Sequence, residues 1–226
     1  MTSRRETTLT RQAEDYLKVI YEIEQGGAPA ATKEIAEELD IAPASVSGMV
    51  QRLSRLGLVK VERYRGARLT APGRAVALQL LRRHRVIESY LVTTLGYGWA
   101  DVHDEAERLE HAASAKLIDR MAEALGNPVV DPHGAPIPTA TGRIDERRLS
   151  SIADLAVGAR ARVVRMSDRD AEFLRYLAKL GIVPGATVRV AGREPFNGPI
   201  ALVVGKSRRS LGAAAASRVY VDHPAP

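Results

Sequence analysis

Two short helical patterns followed by a β-hairpin, all between residues 32 and 70, place the tightest limit on the fold. In TKEIAEELDIAPASVSGMVQRLSRLGLV, apolar residues recur at helical spacing in two segments separated by a tight turn at residues 40–42. Pro43 begins the second segment, at a helical position where its missing N–H costs nothing. The stretch LVKVERYRGARLT then alternates as two short strands around Arg65–Gly66. This order predicts a winged helix-turn-helix, whose second helix enters a major groove of DNA.

The outward face of that second helix indicates how DNA would be read. Small residues at its start let the backbone approach a partner closely, and such side chains read thymine methyl groups and groove shape. Gln51 is the candidate for a bidentate base contact, while the arginines suit phosphate groups. The predicted DNA-binding residues are Ala42, Pro43, Ala44, Ser45, Ser47, Gln51, Arg52, Arg55, Arg63, Arg65 and Arg68.

Composition narrows the chemistry. The 226 residues suggest one to three domains, and the absence of cysteine excludes disulfides and thiolate ligands, so any metal must be held by oxygen and nitrogen. A formal charge of +6 is compatible with a polyanionic partner. The N-terminal MTSRRETTLT has no apolar signal segment, and no stretch approaches the roughly 20 apolar residues of a membrane span. We therefore expect a cytoplasmic protein without membrane association.

The segment HDEAERLEH, residues 103–111, carries an unusual density of histidine and acid. On a helix, His103, Glu107, Glu110 and His111 fall within about 100° of one another. The preceding long helix, from Ala71 to about Leu95, repeats the arrangement with His84–Glu88, one turn apart. Each set alone is also typical of a solvated polar face. Two such sets on consecutive helices after a winged helix favour a metal site.

The remaining segments complete the predicted architecture. An apolar stripe in SAKLIDRMAEALG leaves surface for a two-fold dimer interface. The Pro- and Gly-rich stretch of residues 127–147 is typical of a linker. Four short strands follow, ARARVVRM, GATVRVAG, PIALVVGK and SRVYVDH, with the helical DAEFLRYLAKLG between the first two. Four or five strands in about 75 residues predict a small SH3-like β-barrel.

The fold class is therefore mainly α with β. We expect four parts: a winged helix-turn-helix DNA-binding domain (residues 1–73), a helical dimerisation and metal-binding domain (74–140), a linker (141–150) and an SH3-like, FeoA-like β domain (151–226).

The chain resembles metal-dependent transcriptional repressors of the diphtheria toxin repressor and manganese transport regulator family. The resemblance covers nearly the whole chain and rests on AEDYLKVIYEIE, LDIAPASVSGMVQRL, RRHRVIESYL, WADVHDEAERLEHAAS and NPVVDPHGAPIP. It implies a homodimeric, metal-activated repressor of metal-ion homeostasis genes that binds a palindromic operator in double-stranded DNA. It implies no enzymatic activity.

The same resemblance implies two metal sites per subunit. The activating site would use Asp15, Glu107, Glu110 and His111. The ancillary site would use His84, Glu88 and His103, with Asp170 or, as a reserve, Glu172 from the β domain. Lys18 stands where short manganese regulators have a glutamate that helps hold a second metal close to the first, so we expect two separated sites.

The donor types favour Mn²⁺ as the cofactor. Iron-sensing relatives carry a thioether and a thiol at the Asp15 and Glu107 positions, whereas this sequence has carboxylates, like the manganese-sensing relatives. Oxygen and imidazole donors suit a hard cation. Fe²⁺ is the alternative, and Zn²⁺, Co²⁺ or Cd²⁺ are expected to substitute in vitro.

Two other classes of protein are alternatives to a metal-activated repressor. A metal-dependent hydrolase is disfavoured because the sequence has neither a Gly-rich phosphate loop nor a nucleophile elbow, and a catalytic metal needs an open coordination position. A winged-helix repressor that senses a non-metal ligand stays open, and it predicts DNA binding that chelators do not affect.

Overall fold

The computed structural model describes residues 9–168 and 170–222, which fold into two compact units. Unit 1 comprises the described residues up to Arg83 together with Pro138–Arg143, and unit 2 comprises His84–Ile137 and the described residues from Ile144 onward. The ends of the predicted first and last domains, residues 1–8 and 223–226, lie outside the described residues. Within the described ranges, no helix has both the length and the apolar character needed to cross a membrane.

Unit 1 contains the predicted winged helix-turn-helix. Its elements are α1 (Arg11–Glu24), α2 (Thr32–Glu38), α3 (Pro43–Arg55), β1 (Val59–Glu62), β2 (Gly66–Leu69) and the first part of α4 (Ala71–Leu95). The Thr10 hydroxyl caps α1 by accepting from the Ala13 N–H at 3.3 Å. Leu17, Ile35 and Leu53, one from each of the first three helices, are fully buried and form part of its core.

The wing is attached to the rest of unit 1 through the backbone. Ala30 and Ala67 exchange two backbone hydrogen bonds of 2.9 Å, which makes the segment before α2 a third strand of the hairpin at one position. Gly66, at φ 119°, adjoins this contact, and a Cβ there would lie 2.1 Å from the Ala30 carbonyl oxygen. Only glycine therefore allows the hairpin to approach so closely.

The helical part of unit 2 consists of the rest of α4, α5 (His103–Glu110) and α6 (Ala115–Ala124). Its apolar core is built from all three helices and includes Ile87, Ala106 and Ile118. The Ser114 hydroxyl caps α6 by accepting from the Leu117 N–H. These helices match the segments in which the sequence predicts helical periodicity.

The β part of unit 2 is a six-stranded antiparallel sheet of order β3-β8-β4-β5-β6-β7. Its elements are β3 (Ser150–Ser151), a 3₁₀ turn (Ile152–Asp154), β4 (Arg160–Met166), α7 (Ala171–Leu180), β5 (Thr187–Arg193), β6 (Ile200–Val204), β7 (Ser207–Leu211), α8 (Ala213–Ala216) and β8 (Val219–Asp222). One face of the sheet is buried against α7, whose Phe173, Leu174 and Leu177 enter the core.

Two of the six strands, β3 and β7, lie outside the four segments that the sequence analysis names. The sequence of β7 is SRRSL, which lacks β-branched residues, so its strand character comes from pairing with β6 across residues 200–211. Strand β3 is only two residues long and pairs with β8. Both strands depend on a partner and not on their own composition.

The stretch of residues 127–137 is a packed loop and not the linker that its composition predicts. Asp131, His133, Ala135 and Ile137 are buried. The Asp131 carboxylate accepts from the backbone N–H groups of His133 and Ala135 at 2.8 and 2.9 Å, which satisfies the turn internally. The Pro- and Gly-rich composition predicts an irregular segment, and the segment is irregular. It is nevertheless packed, because side-chain-to-backbone hydrogen bonds of this kind satisfy its backbone in place of regular secondary structure.

The same loop docks on the β part of unit 2. The Met166 N–H at the end of β4 donates to the His133 carbonyl oxygen at 3.1 Å. Gly134 has φ 86°, and a Cβ there would lie 1.8 Å from the Val164 carbonyl oxygen. The helical and β parts of unit 2 are further joined at Trp99 and Ala100, which pack against the core of the sheet. Unit 2 is therefore continuous from the metal-site helices to the sheet.

Candidate metal centre

The predicted ancillary ligands of the helical domain lie together. His84 Nε2 is 3.0 Å from Glu88 Oε1, and His103 Nδ1 is 3.3 Å from the same oxygen. One donor atom from each of His84, Glu88 and His103 lies within 4.8 Å of the others. His84 and Glu88 are buried on α4, one turn apart, and His103 begins α5. Helical spacing thus brings these three side chains to one point.

The predicted activating ligands of α5 are neighbours of this group. Glu110 is fully buried, its Oε1 is 3.4 Å from His111 Nε2, and its Oε2 is 2.6 Å from His84 Nδ1. Donor atoms of His84, Glu107 and Glu110 also lie within 4.8 Å of one another. His84 therefore touches both predicted ligand sets, so in unit 2 the sets adjoin.

Asp15, the fourth predicted activating ligand, belongs to unit 1. It is half-buried on α1, beside the buried Tyr16. Lys18, one turn further along, is also buried. The membership of Asp15 in the activating site stays a prediction from the family resemblance.

The structure places the predicted β-domain ligands elsewhere. Asp170 caps α7, because its Oδ1 accepts from the Phe173 N–H at 2.9 Å and its Oδ2 accepts from Arg218 at 3.3 Å. The capping bond and Arg218 lower the pKa of the Asp170 carboxyl. Glu172 is exposed on α7. Among the described residues, neither joins a group of metal-type donors, and the β-domain carboxylate that does so is Asp168.

Asp168 is part of a second donor group that the sequence analysis missed. Donor atoms of Glu88, Asp131, His133 and Asp168 lie within 4.8 Å of one another. Within the described structure, Glu88 Oε2, Asp131 Oδ2 and His133 Nδ1 are buried atoms without a hydrogen-bond partner. Their nearest charged contacts are longer ion pairs, Arg85 Nε with Asp131 Oδ2 at 3.6 Å and His133 Nδ1 with Glu88 Oε2 at 3.8 Å. Buried polar atoms that lack hydrogen bonds are costly unless something else binds them. The Asp-Pro-His sequence in NPVVDPHGAPIP could have predicted two of these donors, but the surrounding Pro and Gly residues indicated a linker instead.

The orientation of His133 suits it to bind a cation. Its Nε2–H donates to the Trp99 carbonyl oxygen at 2.6 Å, which leaves Nδ1 directed to the donor group, 3.8 Å from Glu88 Oε2. A backbone carbonyl bound to the distal ring nitrogen is the usual way in which a metal-binding imidazole is held in one tautomer. The Asp131 carboxylate is also fixed in orientation. Its Oδ1 accepts hydrogen bonds from the loop backbone, whereas its Oδ2 accepts none within the described structure.

The electrostatics of this group indicate that protons occupy it when no cation is bound. Burial alone would raise the pKa of Glu88, but the His84, His103 and His133 side chains hold it well below its usual range. Burial alone would lower the pKa of His133, but Glu88 and Asp131 raise it to about 9. Burial, reinforced by the Glu88 charge, raises the pKa of Asp131 to about 7.

These features fit a divalent cation. The donors are carboxylate oxygens and imidazole nitrogens, without sulfur, which suits hard or borderline cations such as Mn²⁺ and Fe²⁺. A bound cation would satisfy the orphaned atoms and replace the protons that balance the buried carboxylates. Glu88, Asp131, His133 and Asp168 would hold one ion, and Glu88 is shared with the predicted ancillary set.

The predicted DNA-binding residues of unit 1 are mostly accessible. Those on and before α3 are all exposed: Ala42, Pro43, Ala44, Ser45, Ser47, Gln51, Arg52 and Arg55. Arg63 and Arg65 are exposed at the wing. Tyr64 lies between them at the tip, is 90% exposed, and was missed by the sequence analysis although its neighbours were selected. It has φ 64°, and the Arg63 guanidinium lies 4.8 Å from its ring centre.

Arg68 differs from the other wing arginines. Its guanidinium lies 3.1 Å from Glu62 Oε1 and 3.5 Å from Glu24 Oε1, and it also donates to the Gly27 carbonyl oxygen. These bonds hold the wing to the end of α1. Arg68 therefore has a structural role within unit 1, and Arg63 and Arg65 are the wing arginines better placed for phosphate contacts.

Gly134→Ala tests the packing of the loop. The added methyl group would force the loop away from Val164, so we expect the substitution to displace Asp131 and His133 and weaken cation binding at least tenfold. Gly142→Ala is the matched control, since Gly142 also has positive φ (77°) but no atom within 4 Å of the added Cβ. Calorimetric Mn²⁺ titration of both variants is the measurement. Equal affinities in the two variants would contradict the expectation.

Proton release tests the electrostatics of the Glu88–Asp131–His133–Asp168 group. The raised pKa values mean that His133 is protonated and Asp131 partly protonated at pH 7, so cation binding at this group should release between one and two protons. Apparent affinity should therefore rise as pH increases up to about 9. Calorimetry in buffers of different ionisation enthalpy counts the protons. His133→Gln should lower the count by about one, and the exposed Asp145→Asn should not.

Comparison with known proteins identifies the family. Three family models match: "Iron dependent repressor, N-terminal DNA binding domain" over residues 8–67, "Iron dependent repressor, metal binding and dimerisation domain" over 70–139, and "FeoA domain" over 151–223. The iron-dependent repressor IdeR of Mycobacterium tuberculosis is 33% identical over 226 residues, covering 95% of this chain and 98% of that protein.

Solved structures agree with these matches. A manganese-dependent transcriptional repressor in complex with manganese is 37% identical with a TM-score of 0.88, covering 94% of this chain and all of that chain. The manganese regulator SloR is 31% identical with a TM-score of 0.81, covering 96% of this chain and all of the other. These relatives are DNA-binding repressors and not enzymes. The chain therefore belongs to the diphtheria toxin repressor family of metal-dependent transcriptional repressors.

Proposed function

We propose that this repressor is a Mn²⁺-activated homodimer that acts in the cytoplasm on metal-ion homeostasis genes through a palindromic operator. The observation that carries the choice of metal is the donor chemistry of unit 2, where buried carboxylates and imidazoles gather without any sulfur. Relatives described as manganese-dependent support it, while the similarity to IdeR, described as iron-dependent, keeps Fe²⁺ as the alternative.

The proposed switch is the removal of electrostatic repulsion. Asp15, Glu107 and Glu110 would bring three negative charges to the activating site, and each like-charged pair at ~4 Å costs about 4 kcal/mol at an effective dielectric near 20. A divalent cation would replace this repulsion between carboxylates by attraction to the metal, and would so hold α1 to α5. Because α1 shares the unit 1 core with α2 and α3, holding α1 would select the orientation of the DNA-reading helix from a looser ensemble.

We further propose that the β domain supplies Asp168 to a second cation site with Glu88, Asp131 and His133. The support is the set of orphaned buried atoms there and the use of Asp170 as a helix cap. Through Glu88 and His84, this site is linked by direct side-chain contacts to Glu110 of the activating set. A cation bound at one site would therefore change the electrostatic potential, and so the cation affinity, at the other site.

DNA binding of the full chain at fixed salt tests the switch. The probe is duplex DNA from upstream of the protein's own gene and of neighbouring metal-transporter genes, with chelator and then with Mn²⁺, anaerobic Fe²⁺ or Zn²⁺. We expect strong activation by Mn²⁺ at concentrations where the chelated protein stays unbound. In Asp15→Ala, loss of one carboxylate ligand should raise the Mn²⁺ concentration needed at least tenfold.

Gln12→Ala, at an exposed position of the same helix, is the matched control and should behave as wild type. Activation of Asp15→Ala at the wild-type Mn²⁺ concentration would contradict the switch. Activation by Fe²⁺ but not Mn²⁺ at equal free concentrations would favour the iron-dependent alternative. DNA binding that chelator leaves unchanged would favour a repressor that senses a non-metal ligand.

The proposed dimer uses the helical part of unit 2. On α6, Leu117 is 46% exposed although it neighbours the buried Ile118, so the apolar stripe extends beyond what the subunit covers. A two-fold dimer would place two reading helices at half-sites about 34 Å apart. Leu117→Asp should give a monomer in sedimentation experiments and weaken operator binding at least tenfold. Val157→Asp, at an exposed apolar site of the β part, should stay dimeric, and an unchanged Leu117→Asp dimer would contradict the assignment.

A further inference from the structure

The positive charge of the chain is concentrated in its C-terminal domain. Residues 151–222 contain 12 Lys and Arg against 6 Asp and Glu, an excess equal to the +6 of the whole chain. The winged helix-turn-helix of residues 1–73 has 11 against 10, so it is nearly neutral. Sequence-independent affinity for DNA depends on the phosphates that Lys and Arg neutralise. The winged helix therefore contributes almost nothing to the net positive charge of the chain, although its exposed arginines can still contact phosphates.

Three arginines form a row on the open face of the six-stranded sheet. Strand pairing places Arg160 of β4 opposite Arg189 of β5, Arg189 opposite Val203 of β6, and Val203 opposite Arg208 of β7. Arg160, Arg189 and Arg208, here called the arginine row, are all exposed, while the residues beside them in the strands point to the core or are partly covered. With strands about 4.8 Å apart, the row extends roughly 14 Å across the sheet.

The arginine row lacks carboxylate partners. Like charges directly opposite each other on a sheet are destabilising, and Arg160 faces Arg189. Within the described ranges, no carboxylate forms an ion pair with any of the three. Other arginines of the domain are engaged: Arg175 pairs with Asp101, and Arg218 pairs with Asp170. An anion bound at the row would offset the repulsion between these arginines.

A shallow cavity adjoins the row and offers a place for such an anion. It has a volume of about 220 Å³ and is lined by Arg160, Thr187, Arg189 and Val203, among others. Two guanidinium groups and a threonine hydroxyl are donors that suit a phosphate group. Because Arg208 extends the positive charge beyond the cavity, the surface fits a chain of phosphates better than one small anion.

We propose that the arginine row is a second DNA-binding surface, which contacts backbone phosphates of duplex DNA without reading sequence. Duplex DNA presents one negative charge per about 1.7 Å of its axis, which matches an extended basic row. The chain belongs to a family of DNA-binding repressors, so duplex DNA is the polyanion that it meets in function. The row would add its counterion release to that of the exposed arginines of the winged helix.

Salt dependence of binding tests this surface in the full chain. The probe is duplex DNA without operator sequence, measured with chelator present, so the result does not depend on metal activation or on the proposed choice of Mn²⁺. Replacing Arg160, Arg189 and Arg208 together by Gln should make the slope of log affinity against log salt less steep by about 3. Arg189→Gln alone, which removes one charge of the row, should change the slope by about 1.

The matched control is a variant with Arg147, Arg148 and Lys179 replaced by Gln, which removes the same charge from exposed positions away from the row. Its slope should change by less than one. Unchanged Mn²⁺ stoichiometry and sedimentation would show that each variant is folded. Equal slopes for the row variant and wild type, or equal changes in row and control variants, would overturn the proposal. So would displacement of DNA from wild type by millimolar inorganic phosphate at constant ionic strength, because that result would assign the surface to a small anion.

Discussion

The buried carboxylate of Glu88 is the group on which unit 2 depends. A carboxylate removed from water is costly unless charged or hydrogen-bonding partners surround it. Here His84 and His103 approach one oxygen, and His133 approaches the other. These partners come from α4, α5 and the loop of residues 127–137, so one side chain relates three separate segments. Within the described residues, the same arrangement leaves one donor atom each of Glu88, Asp131 and His133 without a hydrogen bond, which is the basis of the candidate metal centre.

The 127–137 loop connects this centre to the β domain. His133 contributes its imidazole to the donor group, and its carbonyl oxygen accepts from the last residue of β4. Two residues beyond β4, Asp168 returns a carboxylate from the β domain to the same group. A cation held there would bind the helical and β parts of unit 2 together, and this would give the β domain a direct part in metal binding.

If both proposals hold, DNA recognition would combine contacts that read the groove with contacts to backbone phosphates. The exposed face of α3 begins with small side chains that suit groove shape and methyl contacts, and the wing tip presents Arg63, Tyr64 and Arg65. The proposed role of the arginine row in the sheet is to contact backbone phosphates without reading bases. The β domain would thus add to non-specific affinity, while base reading would stay with the winged helix.

Local patterns in the sequence were sufficient for α1 to α4, for the winged hairpin, and for the pairing of His84 with Glu88, because helical and strand periodicity relate residues a few positions apart. Carboxylates and histidines in place of sulfur were also sufficient to propose a hard divalent cation. Tertiary structure alone decided the rest. Asp131 and His133 join the centre because Gly134 lets an irregular loop approach β4, and Asp168 joins it while Asp170 caps a helix. The arginine row arises from strand pairing that brings Arg160 opposite Arg189 and aligns both with Arg208, a register set by sheet packing that no local pattern specifies.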